Sequence, residues 1–102
     1  MKYVYLMRND ETSRYKIGVS KDPTKRIEQL QTGNDSDIVL ISSFHSKYPT
    51  KVETALQNSF AHIRKRGEWF SLGIEEEVNF ISECTKIEQN IEYLVKEGNE
   101  FI

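Results

Sequence analysis

Tyr3-Val4-Tyr5-Leu6-Met7, followed after Asn9-Asp10-Glu11-Thr12-Ser13 by Tyr15-Lys16-Ile17-Gly18-Val19, sets the architecture of this chain. Both flanking runs are aromatic and β-branched, and the polar segment between them is rich in turn formers, so the three read as an antiparallel hairpin. Side chains alternate across a strand. Val4 and Leu6 therefore share one face with Ile17 and Val19 on the paired strand, while Tyr3, Tyr5, Lys16, Gly18 and Ser20 emerge on the other. A lysine ammonium beside a phenol favours the phenolate, which is the form a tyrosine needs to act as a general base. The same spacing also fits a plain Tyr-Lys pair on an exposed sheet face.

Working outward, Asp22-Pro23 opens a helix, with Asp22 as cap and Pro23 at the first helical position. Ile27 and Leu30 form its apolar stripe, and Gly33-Asn34 ends it. Ile38-Val39-Leu40-Ile41 with Phe44 reads as a third strand. A second helix starts at Thr50, with Val52, Ala55, Leu56, Phe60 and Ile63 on one face, and Gly67-Glu68-Trp69-Phe70 breaks it. From Ile74 one long helix is expected, its stripe formed by Val78, Ile81, Cys84, Ile87, Ile91 and Leu94. The order is β-β-α-β-α-α: an α+β fold with a small antiparallel three-stranded sheet flanked by helices.

The 102 residues make one domain, 37% hydrophobic and 29% charged. A lone cysteine, Cys84, excludes an internal disulfide, a cysteine-built zinc site and a redox pair, and suits a reducing cytoplasm. No apolar run is long enough for a membrane span or a signal-peptide core, so a cytoplasmic protein without membrane partners is expected. The net charge of −2 hides a division. Residues 1–74 hold twelve Lys and Arg against eight Asp and Glu, whereas residues 75–102 hold two Lys against eight Glu. A mildly basic front fits phosphate contacts and the tail is acidic, although many ordinary domains are as basic.

Four motifs in order carry a resemblance: Val4-Tyr5-Leu6; Tyr15-Lys16-Ile17-Gly18; Pro23-Thr24-Lys25-Arg26-Ile27-Glu28-Gln29-Leu30; and Glu53-Thr54-Ala55-Leu56 leading to Gly67-Glu68-Trp69-Phe70. Together they resemble the GIY-YIG nuclease superfamily over residues 3–72, most closely its short phage and bacterial branch with a Tyr-Lys-Ile-Gly second motif. The resemblance implies a GIY-YIG-like catalytic domain over 1–72, with 73–102 as an acidic C-terminal helix packed on it. It implies a metal-dependent endonuclease that hydrolyses DNA phosphodiester bonds with Mg2+ or Mn2+. Tyr5 matches the tyrosine that helps to activate water. Lys16 stands where many relatives have a second tyrosine and is expected to assist the phenolate. Arg26 matches the arginine that contacts the scissile phosphate, and a planar permanent cation suits that task.

Glu53 matches the metal-binding glutamate; Thr50-Lys51-Val52-Glu53 also reads as a capping box, in which Glu53 would only bind backbone. Gly18 permits close approach or marks a bulge. Tyr3, Ser20 and Glu68 are candidate substrate contacts, and Trp69 and Phe70 candidate core residues. The branch carries a histidine where this chain has Gln57, and His45 and His62 read as surface or structural. DNA is the expected partner of a monomer rather than a homodimer. The competing reading is a catalytically silent, nuclease-derived module that binds nucleic acid or a host protein, and a third is an oligomerisation or adaptor role for the acidic helix.

Overall fold

A computed structural model describes residues 2–60 and 69–98. Strands β1 (Lys2–Asn9) and β2 (Arg14–Ser20) form the expected hairpin, α1 (Pro23–Thr32) follows, then β3 (Ile38–Ser46), α2 (Pro49–Ser59), β4 (Trp69–Phe70), α3 (Ile74–Val78) and α4 (Phe80–Lys96). The hairpin turn is held by Asn9, whose side-chain oxygen accepts from the backbone N–H of Glu11 (3.0 Å) and Thr12 (3.2 Å). All pairings are antiparallel, and the strand order is β3-β1-β2-β4.

The fold is α+β as read, but the sheet has four strands rather than three. The added strand, β4, pairs Phe70 with Tyr15 and Trp69 with Lys16. Two residues are too few for period-two alternation to signal a strand. Phe70 is fully buried in the main core, and Trp69 lies half-buried on the opposite face.

The sheet separates two apolar clusters. On one face Val4, Leu6, Tyr15 and Ile17 meet Val52 and Leu56 of α2, with Phe80, Cys84 and Ile91 of α4. On the other, Tyr5 and Met7 meet Ile27 of α1 and Ile38, with Leu30, Leu40 and Trp69 at the margin. The acidic helix α4 therefore covers the face away from Tyr5. Two charged ties hold the C-terminal helices to the sheet. Glu77 accepts from the Arg8 guanidinium (2.7 Å) and the Tyr15 hydroxyl (2.9 Å), and Glu88 accepts from Ser46 Oγ (2.6 Å) and the Lys47 N–H (2.8 Å).

Two helix expectations are corrected. The long helix from Ile74 is broken at Asn79, and the start of its stripe differs: Cys84, Ile87 and Ile91 face the core as expected and Phe80 joins them, while Val78 and Ile81 are exposed. Phe80 wins the inward position because a phenyl ring buries more apolar area than Val78. The second helix starts at Pro49 rather than Thr50, with Tyr48 as its N-cap, because proline is pre-set for the first helical position. No helix among the described residues is long and apolar enough to cross a membrane.

Candidate active site

Strand register builds the site from the face that α1 leaves partly open. Across the sheet, Tyr3 pairs with Ser20 and His45, Tyr5 with Gly18 and Ser43, and Met7 with Lys16 and Leu40. Tyr3, Tyr5, Lys16, Gly18 and Ser20 thus share one face, as strand alternation requires. Lys16 and Tyr5 are not directly opposite each other, however. The partner of Tyr5 is Gly18, so Lys16 stands diagonal to it, where separations run to ~7–8 Å rather than ~5 Å. The Lys16 ammonium lies 6.0 Å from the centroid of the Trp69 ring.

Gly18 makes the position of Tyr5 possible. A Cβ on Gly18 would sit 2.5 Å from both Cζ and Oη of Tyr5. The phenol therefore lies across the glycine, pointing from β1 over β2. Tyr5 is only 4% exposed, and no described residue hydrogen-bonds its hydroxyl. Tyr15, the other phenol of the hairpin, is turned to the opposite face. Burial and its bond to Glu77 raise its pKa, the reverse of what a base needs.

Gly18→Ala should displace the phenol from this seat. Tyr5 is buried in one apolar cluster with Met7, Ile27 and Ile38, so the ring has packed neighbours to displace. Overpacking of this kind costs about 1–3 kcal/mol. Thermal melting should show that loss, and the NMR shifts of the Tyr5 ring should report its movement; an unchanged ring environment would refute the packing account.

Arg26 lies one turn into α1 and is exposed, with no ion pair to any described residue. Asp22 does not engage its guanidinium, because Asp22 Oδ1 caps the helix by accepting from the Lys25 N–H (3.1 Å). Glu53 lies one turn into α2 and is half-buried. The capping-box reading does not hold, since Thr50 is inside the first turn and Tyr48 is the N-cap. Val52 and Leu56 face the sheet, and Thr50, Thr54 and Asn58 line the cleft against Ile87, Asn90 and Ile91 of α4. Helical spacing leaves Glu53 on the remaining flank, away from α4. Because α2 lies over β1 and β2 and α4 over β3, that flank faces the β2–β4 side of the sheet, the side towards which the Tyr5 phenol points.

Both helices also begin at one end of the sheet. β2 ends at Ser20 just before α1, and β3 ends at Ser46 just before α2; Tyr3 pairs with Ser20 and Lys2 with Ser46. Arg26 and Glu53 therefore stand at the same end but in different layers, Arg26 on the Tyr5 face and Glu53 on the other. Glu68 and His62, like Ile63 and Gly67, lie outside the described residues. Cys84 is no nucleophile: burial, with Glu83 and Glu88 nearby, pushes its thiol up to about 12.

Among the described residues no three His, Cys, Asp or Glu side chains form a ready-made cage for a metal. A single helix carboxylate still fits Mg2+ or Mn2+, which bind hard oxygen donors and commonly take one protein carboxylate beside waters and substrate phosphate. One residue of this face escaped the reading of its role from sequence. His45, placed there by the β1–β3 register, stacks on Tyr3 with ring centroids 4.7 Å apart and planes at 25°. Only the inward turn of its neighbour Phe44 could have hinted at its orientation.

Neither the curated proteins nor the solved structures offer a match to this chain. A family model, that of the T5orf172 domain, matches residues 2–88, a span that includes Tyr5, Lys16, Arg26 and Glu53. The chain belongs to the T5orf172 domain family, phage-associated domains of the GIY-YIG and homing-endonuclease-like nuclease kind.

Proposed function

We propose that the protein is an endonuclease that hydrolyses DNA phosphodiester bonds with the help of one divalent ion. The observation that carries this reading is the Tyr5 phenol seated across Gly18, on the sheet face that also bears Lys16 and against which α1, the helix carrying Arg26, packs through Ile27. Tyr5 in its phenolate form takes a proton from water. The water oxygen then bonds to phosphorus as the ester oxygen departs. Lys16, diagonal to Tyr5, supports the anionic phenol electrostatically. Arg26 offers a planar fork to two phosphate oxygens and offsets the charge that builds there.

Glu53 would hold Mg2+ or Mn2+, and such an ion supplies charge stabilisation at a phosphoryl or leaving oxygen. Tyr3, Gly18, Ser20 and Glu68 are assigned to the substrate side. The protein is proposed to act as a cytoplasmic monomer, with α4 and its carboxylates turned away from the phosphates that they would repel.

Supercoiled plasmid incubated with the protein and Mg2+ or Mn2+ should be nicked, and EDTA should stop the reaction. DNA binding without cutting at any metal concentration would establish the silent module instead. Arg26→Lys keeps the charge but loses the fork. Turnover should fall by roughly 10²–10³, the usual cost of removing one donor to a developing anion. Unchanged turnover would reduce Arg26 to a general electrostatic contact.

A further inference from the structure

We infer that the stacked Tyr3–His45 pair is a binding site for unpaired nucleobases, so that the protein prefers single-stranded DNA, or a strand opened beside the cut, to an uninterrupted duplex. The choice of DNA as the polymer rests on the nuclease reading; the preference for an open strand rests on this surface.

His45 is exposed and lies face to face with Tyr3, its cross-strand neighbour. β3 is an edge strand, so no further strand covers the outer side of His45. The pair belongs to the row next to Tyr5 on the same sheet face. On its other side the row continues through Ser20 into the β2–α1 connection and the first turn of α1, which together carry Lys21, Lys25 and Arg26. These three cations form no ion pair with any described residue, whereas Arg8, Lys47 and Lys86 each do. The only carboxylate between Ser20 and Ile27 is Asp22, and its Oδ1 is occupied in capping α1.

An aromatic platform beside a strip of cations is the arrangement by which proteins hold single strands. Bases stack on the rings and phosphates run along the cations, with no sequence being read. A duplex can use the cations but not the rings, because its base faces are closed within the stack. Aromatic side chains on a sheet face take bases only from strands whose bases are splayed out. The Tyr3–His45 pair therefore adds to the affinity for open strands, and it does so one strand row from the proposed attack on phosphate.

The test is binding in EDTA, where no cutting can occur. It uses a short oligonucleotide carrying 2-aminopurine and the corresponding duplex, with the wild type, His45→Ala, His45→Phe and His45→Lys. The wild type should favour the single strand and quench 2-aminopurine. His45→Ala should lower the ratio of single-strand to duplex affinity about tenfold, the order expected for one stacked base. His45→Phe should restore both the ratio and the quench, and His45→Lys should restore neither. A ratio unchanged in His45→Ala, or rescue by lysine as good as by phenylalanine, would overturn the proposal. Strand preference and quenching by a protein that never cuts would reject the nuclease reading while leaving this one standing. Absence of binding to either DNA would overturn the proposal.

Discussion

A chain ended after Leu72 should fail to fold. Phe80, Cys84 and Ile91 are each less than 5% exposed and belong to the same core as Val4, Leu6, Ile17 and Phe70. Burying a large apolar side chain contributes about 1.5–3 kcal/mol, so Phe80 and Ile91 alone account for roughly 3–6 kcal/mol. The whole stability of a domain is only about 5–15 kcal/mol. Truncation also removes Glu77 from Arg8 and Tyr15, and Glu88 from Ser46 and the Lys47 N–H. The buried Ser46 hydroxyl would lose its carboxylate acceptor while its apolar cover is stripped away. Circular dichroism should show a fragment without cooperative melting, and light scattering should show it aggregating beside a monomeric full chain. A soluble, folded and active 1–72 fragment would contradict this account.

Glu53→Ala should abolish metal-dependent cutting and leave the fold intact. Had Glu53 capped the helix, its loss would cost about 0.5–2 kcal/mol, which for a domain of this size lowers the melting temperature by several degrees. With Tyr48 at the cap and Pro49 in the first turn, no cap is removed. Val52 and Leu56, which seat α2 on the sheet, are untouched. The paired result, an unchanged melting curve with lost cleavage in Mg2+ and in Mn2+, supports the ligand role. A lowered melting temperature with full activity would sink it.

The division of the hairpin into an aliphatic and a polar face was legible, because alternation fixes it once the two strands pair. So were the capped start of α1 at Asp22-Pro23 and the placing of Tyr5, Lys16 and Gly18 together. What stayed hidden depended on contacts between distant segments. Register decides whether Lys16 faces Tyr5 or Met7, and no local pattern sets it. The edge strand β4 is defined by the burial of Phe70 against the main core. The inward turn of Phe80 stayed hidden because a three- and four-residue stripe through Val78, Ile81 and Cys84 passes it by. His45 reads as a surface or structural histidine, and it is exposed; its stacking on Tyr3 was hidden because that partner lies 42 positions away in the chain.

Tyr5→Phe tests whether the Tyr5 hydroxyl takes the proton from the attacking water, as proposed. The substitution removes one oxygen and keeps the ring that packs over Gly18 and against Met7 and Ile27. Supercoiled plasmid and circular single-stranded DNA should be incubated with wild type or variant in Mg2+ and in Mn2+. Nicking by the wild type, with none by a variant of equal melting temperature, is the predicted result. A variant that cuts as fast as the wild type would contradict the claim, as would a wild type that cuts neither DNA with either metal.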